Sequence, residues 1–218
     1  MSTYAVSELV KEVKVLLDRN QETSGLLTPT DSDALSQGEL IQSKIVDAAR
    51  IILKDAPAYM LDGETFEGLN TAWAESNGAY IGTVYLPTDM IRLLNVKASD
   101  WNRSAEIITE EDDAYKIQCN RFGVRGNPER PIAALIHKSG ERYLELFTSK
   151  SNTATVSLTY VGMPSINEGN IDLPETLKDS IVYMAGYLTC ISLGDTDSAN
   201  GLLVVARKLA HIVEPTTS

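Results

Sequence analysis

Hydrophobic positions at both ends of this chain recur with a helical period. In 3–19, Val6, Leu9, Val10, Val13, Leu16 and Leu17 fall on one stripe, with Glu8, Lys11 and Glu12 off it. A second helix is expected to start within 31–36. Leu40, Ile41, Ile45, Ala48, Ala49, Ile52 and Leu53 form its stripe, and Pro57 ends it. Ser36 and Glu39 have capping-box spacing, with Asp33 as a rival cap. The last 47 residues, 172–218, contain two further stripes. One runs through Leu177, Ile181, Met184, Leu188 and Ile191. The other runs through Ala199, Leu202, Leu203, Ala206, Leu209 and Val213. Gly194 separates them as a C-terminal stop. Asp172 is expected to cap the first of these helices, with Pro174 in its first turn, and Asp195, Thr196 or Asp197 to cap the second.

From Gly78 the period changes to two. Short strands are expected at 80–86, through Leu94, Val96 and Ala98, at 101–109, 114–119, 131–137, 142–148 and 154–160. The segment 62–77 is ambiguous between a helical turn and an irregular crossover. Short sequential strands joined by tight turns favour an antiparallel sheet or a small barrel. The expected fold is therefore α+β. A four-helix bundle is built from both chain ends, 1–76 and 172–218, with an inserted antiparallel β module at 77–171.

Charge sharpens this division. The formal net charge is −11. Residues 1–76 carry 6 basic and 13 acidic side chains, net −7, and residues 172–218 carry 3 and 6, net −3. The middle, 77–171, carries 10 and 11, net −1. Such a chain is poorly suited to gripping nucleic-acid phosphates, because that affinity comes from Lys and Arg displacing counterions. Acidity that serves solubility alone is the other reading. No apolar run is long enough to span a bilayer, and the first residues lack a signal-peptide profile, so a soluble, cytosol-like setting is expected. Cys119 and Cys190 are expected to be reduced and buried, a single disulfide being the alternative. Two histidines, His137 and His211, are too few for a His-rich metal site.

Candidate chemistry is sparse. The run Glu110-Glu111-Asp112-Asp113 reads as a solvated turn rather than a carboxylate site. Asp195 and Asp197 lack the glycine and distal glutamate of a calcium loop. There is no nucleophile elbow, Walker loop or dinucleotide fingerprint. No catalytic residue, cofactor or metal site is expected. Arg121, Arg125 and Arg130 stand out, clustered in the turn-rich FGVRGNPERP region of an acidic chain. They are candidates for a subunit interface, because Arg makes planar bidentate pairs and a neighbouring copy would supply carboxylates. Solvated arginines are the plainer reading.

Several phrases carry a family likeness: LPTDMIRLLNV, the WNR triplet, KIQCNRFGVRGNPERPIAALI, RYLELFTS, TVSLTYVGMP and the closing LPETLKDSIVYMAGYLTCISLGDTDSANGLLVVARKLA. In this order they resemble the head–tail connector (adaptor, or head-completion) proteins of tailed bacteriophages. The likeness is greatest to the portal-proximal ring proteins of crAss-like phages, and it covers nearly the whole chain. It implies a helical core with a β insertion and a homo-oligomeric, dodecameric ring. The ring would dock below the portal protein, with tail or further ring proteins on its other side. It implies a conduit through which genome DNA passes without tight binding, and no catalytic residues. Acidic helical residues, such as Asp31, Asp33 and Glu39, are expected to face the lumen. The alternative is a carbohydrate- or peptide-binding β module on a helical stalk, with Trp73, Trp101 and the tyrosines as a stacking platform. A hydrolase using Glu or Asp is a third reading.

Overall fold

The computed structural model describes residues 1–17, 36–69, 71–76, 78–120, 125–138 and 140–213. The chain divides into two compact units. Residues 1–62 and 163–218 form the first, and residues 63–162 form the second.

The first unit is built on helices α1 (Val6–Leu16), α2 (Gln37–Asp55), α4 (Lys178–Ser192) and α5 (Thr196–Leu209). It also holds a small sheet of β1 (Ser2–Ala5), β11 (Asn170–Leu173) and β10 (Ile166–Asn167), in the order β1-β11-β10. The expected four-helix bundle is not what forms. Helix α4 packs on α1, α2 and α5, whereas α5 packs chiefly on α4. The cause lies in the side chains. Helix α4 buries Ser180, Ile181, Val182, Met184, Ala185, Gly186, Thr189 and Cys190, so it is covered around most of its circumference. Helix α5 buries only Ala199 and Ala206. Four equal stripes facing one axis are therefore replaced by an arrangement centred on α4. Gly186 allows this closeness: a Cβ there would stand 3.1 Å from Leu16 and 3.4 Å from Leu202. The Ser180 hydroxyl ties the two helices by donating to the Ala206 carbonyl at 2.8 Å.

The termini of these helices follow local chemistry. Ser36 and Glu39 form the capping box, with Ser36 N–H donating to Glu39 at 2.7 Å and Glu39 N–H donating to the Ser36 hydroxyl at 3.3 Å. The Ser36 side chain, followed by its backbone N–H, holds the Glu39 carboxyl below its ordinary range. A carboxyl depressed in the folded state stabilises at pH above its unfolded value, and that contribution is lost as pH falls through the folded value. Ser36→Ala is expected to return the Glu39 titration upward and to loosen the first turn of α2. An NMR pH titration of Glu39 checks this; an unmoved midpoint would contradict it.

Asp195 caps α5, accepting from Ser198 N–H at 3.2 Å. Asp172 is not a cap. It lies in β11, accepts from the Thr3 hydroxyl at 2.6 Å and pairs across from Thr3. A 3-10 turn, Glu175–Leu177, intervenes before α4. Residues 2–5 precede α1 as a strand of that sheet, paired antiparallel with β11. Both C-terminal caps are Schellman motifs. Gly194 (φ +78°) closes α4, with Asp195 N–H donating to Cys190 O at 2.9 Å. His211 (φ +52°) closes α5, with Ile212 N–H donating to Arg207 O at 2.9 Å. His211 occupies a position where glycine is usual, and its Nδ1 lies 2.7 Å from the Tyr59 hydroxyl.

The second unit is a two-sheet sandwich. One sheet has the order β2 (Glu64–Leu69), β9 (Val156–Gly162), β5 (Met90–Ala98). The other runs β3 (Ala72–Ser76), β4 (Ala79–Tyr85), β8 (Glu141–Ser149), β7 (Ile132–Lys138), β6 (Glu106–Thr109). The two share a core that includes Val84, Val96, Leu144, Leu146, Val156 and Leu158. The five-stranded sheet is also covered on part of its other face, around β6, β7 and β8. There α3 (Asp113–Cys119) packs over Ile108, Ala134, Ile136 and Phe147. Strand β8 thus sends Leu144 and Leu146 to one side and Phe147 to the other, as a doubly covered strand requires.

Three expectations fail in this unit. The sheet is not wholly antiparallel, since β6 and β7 pair in parallel. The ambiguous segment 62–77 contains strands β2 and β3. Residues 114–119 form a helix instead of a strand. In α3, Ala114 and Tyr115 pack on the sheet, and the third inward position is a buried polar residue, Gln118. Gln118 accepts from Gly126 N–H at 2.7 Å, so the stripe contains a side chain that an apolar count passes over.

Candidate functional site

The described residues bring no catalytic constellation together. Glu110 and Glu111 are exposed on the turn after β6. Asp112 turns back and accepts from Thr109 N–H at 2.7 Å and from its hydroxyl at 3.0 Å, which holds its carboxyl below the ordinary range. Asp113 pairs with Lys116 at 2.7 Å. The four acids are thus a turn and a helix start, with no shared ligand position. Among the described residues, no group of three or more His, Cys, Asp or Glu side chains is placed to hold a metal ion. Cys119 is exposed and Cys190 is buried, and neither forms a disulfide, so the expectation of a buried pair fails for Cys119. No described helix is long and apolar enough to cross a membrane.

One half-buried polar cluster lies between α3 and β8. The Tyr115 hydroxyl donates to Glu145 at 2.9 Å. Burial first, then contacts with Cys119 and Glu145, push the Tyr115 phenol well above its ordinary range. Tyr143 is pushed in the same direction, mainly by burial and then by Glu145, Glu110 and Tyr85. Phenols shifted this way stay protonated and serve as hydrogen-bond donors. The cluster fastens α3 to β8.

Neither tryptophan forms a stacking platform. Trp101 is 2% exposed and donates its indole N–H to Thr148 O at 3.0 Å. Trp73 is half-buried, lies over Gly82 and donates to Ala154 O at 3.0 Å. Described residues line two of this unit's open grooves. The larger, about 510 Å³, lies beside the irregular stretch of β2 at Gly68 (φ +69°) and is lined by Glu67, Lys97, Ser99, Thr155 and Ser157. Its polar groups are partly engaged, since Ser99 accepts from Thr155 N–H and Ser157 donates to Lys97 O. The second, about 350 Å³, borders Tyr85, Thr88, Glu141 and Arg142. The Arg142 guanidinium is held there by the carbonyls of Met90 at 2.9 Å, Thr88 at 3.1 Å and Pro87 at 3.4 Å.

The arginine cluster divides. Arg121 lies outside the described residues, as do Asp31 and Asp33 among the expected lumen acids. Arg125 is half-buried, and its Nη1 donates to the Ser76 hydroxyl at 3.0 Å, which joins the loop to β3. Its Nε is buried without a hydrogen-bond partner. Arg130 is exposed at the mouth of β7, in a backbone bridge with Asn127. Of the two described arginines, Arg130 is the one presented to solvent. Glu39 is occupied in its capping box.

Helix α5 carries a surface that the apolar count did not single out. Val204 is 62% exposed and Val205 36%. Leu209 and Val213, expected on the inward stripe, are exposed as well, at 39% and 88%. A second stripe of the same helix, Asp197-Gly201-Val204-Lys208, mixes charge, glycine and valine, so an apolar count does not register it.

No protein-family model matches this chain, and comparison with curated proteins finds no significant match.

Proposed function

We propose that this chain is a structural virion protein: a subunit of a head–tail connector ring in a tailed bacteriophage. The ring docks below the portal and forms part of the DNA conduit between capsid and tail. It assembles in the bacterial host cytoplasm and resides at the head–tail interface of the particle. The reading starts from the resemblance of the middle and closing phrases. One structural observation supports it: the two chain ends build one helical unit, and the intervening residues 63–162 form a separate β-rich unit. That is the arrangement of a helical core carrying an insertion.

Charge is consistent with a conduit. The first unit's residues carry 9 basic and 17 acidic side chains, net −8. A wall of that sign repels phosphates and gives passing DNA no strong binding site. A ring also needs heterologous contacts on two faces of each subunit. Exposed Arg130 is the arginine suited to one of them.

The test mixes the purified chain with portal rings and reads mass and symmetry by native mass spectrometry and electron microscopy. A twelve-fold ring below the portal is expected. Failure to bind the portal, or a ring with a basic lumen, would overturn the reading. Arg130→Glu is expected to weaken ring formation by tenfold or more while leaving the thermal midpoint unchanged. Arg125→Glu should lower both, because Arg125 also joins the loop to β3. A ring of unchanged mass and affinity with Arg130→Glu would remove that residue from the interface.

A further inference from the structure

We infer that the outer face of α5 is a self-complementary surface through which two copies of this chain pair antiparallel about a two-fold axis. This goes beyond the proposed connector role and does not depend on it. It describes the free protein in the absence of a portal.

Gly201 lies in the interior of a 14-residue helix, where glycine is disfavoured relative to alanine. No contact among the described residues requires it. A Cβ built at Gly201 would meet no atom within 4 Å. The residue is exposed, and it is followed by Val204 and Val205, both exposed. An exposed notch beside exposed β-branched side chains suits the close approach of another helix.

Helical geometry defines the surface. At 3.6 residues per turn, Asp197, Gly201, Val204 and Lys208 fall within about 60° of one another. They face away from Ala199 and Ala206, which are buried against the rest of the unit. The spacing of four, three and four residues is that of a helix–helix seam. Val205 and Leu209 flank it on one side.

The order of the four residues selects the partner. Read antiparallel against itself, the stripe places Asp197 opposite Lys208 of the partner subunit, and Gly201 opposite Val204 of the partner subunit. The two-fold axis repeats each contact. Each valine then seats in a glycine notch, and each end of the seam pairs opposite charges. A parallel pairing would put Asp197 against Asp197 and Lys208 against Lys208. Neither side chain has a hydrogen bond or ion pair elsewhere among the described residues. The charge pattern therefore favours a second copy in one orientation.

Analytical ultracentrifugation of the purified full chain tests this. A concentration-dependent monomer–dimer equilibrium is expected. Gly201→Leu fills the notch with a strong helix former, so it should abolish the dimer while the monomer's helical signal and melting midpoint hold or rise. Lys208→Glu and Asp197→Lys should each raise the dissociation constant by tenfold or more, since each reversal acts twice in the dimer. The double variant Asp197→Lys/Lys208→Glu should restore most of the affinity. Monomer at every concentration up to about 1 mM would overturn the inference. So would a dimer that Gly201→Leu leaves intact, or charge reversals that the double variant does not rescue. Portal binding plays no part in these readings, so failure here leaves the connector proposal standing, and the reverse also holds.

Discussion

Trp101→Ala is expected to remove about 3–5 kcal/mol from the stability of the β-rich unit. The side chain is 2% exposed and belongs to the core shared by the two sheets, beside residues of the classes that dominate it. Its loss leaves a large cavity, because close-packed neighbours relax only partially. It also leaves Thr148 O without its indole donor. Chemical denaturation followed by circular dichroism and by the fluorescence of Trp73 measures the change. Trp101→Phe separates the two contributions: it retains most of the ring and forfeits the hydrogen bond, for about 1–3 kcal/mol. A loss below about 1 kcal/mol for Trp101→Ala would mean that the indole is not integral to this core.

Ile181→Ala and Leu202→Ala, taken together, test the arrangement of the helical unit. In a closed bundle, each helix stripe faces the common axis and equivalent truncations have similar effects. Here Ile181 is 1% exposed on α4, the helix that touches α1, α2 and α5, whereas Leu202 on α5 is half-buried. Ile181→Ala is expected to destabilise by about 2–5 kcal/mol. Leu202→Ala is expected to lose about 1 kcal/mol, in proportion to the smaller area it buries. Denaturant midpoints of the two variants at unchanged slope provide the measurement. Equal losses would favour a closed bundle over an arrangement centred on α4.

The same contrast explains which parts of the fold can be read along the chain. Local signals carry helix ends well. Ser36 with Glu39, Gly194 and Asp195 act through atoms within five residues of one another, and each stands where its residue type predicts. Strands β4, β7, β8 and β9 likewise announce themselves by alternation. Errors occur where a distant partner overrides the local pattern. Asp172 and Pro174 make a plausible helix start, yet Asp172 is drawn into a strand by Thr3, a residue 169 positions away. Residues 114–119 alternate like a strand, but the Gly126 amide gives Gln118 a buried partner, and the segment winds into a helix on the sheet. Strand β2 shows no apolar alternation because most of it is exposed; its pairing with β9 is what makes it a strand.

The candidate surfaces show the same limit. The arginine cluster is visible in the sequence as a charge anomaly, but its division is not. Arg125 and Arg130 are alike until Ser76 engages one and leaves the other in solvent. The α5 stripe is legible as spacing, yet exposure decides its meaning. If α4 had been joined by a fourth helix over Val204, Gly201 would simply be a packing glycine.

By itself, the sequence determined the helical ends and the β-rich middle, the acidic character of the helical unit, several helix caps and the lack of any recognisable catalytic motif. These follow from periodicity, composition and short-range hydrogen bonding, which act between near neighbours in the chain. Only the tertiary structure decided that α4 is the centre of its unit, that β6 and β7 run parallel, that Trp101 is core, and that one face of α5 is uncovered. Those outcomes depend on which surfaces remain after every apolar face has competed for the same partners. That competition is settled by the shape and burial of the whole fold, not by any one segment.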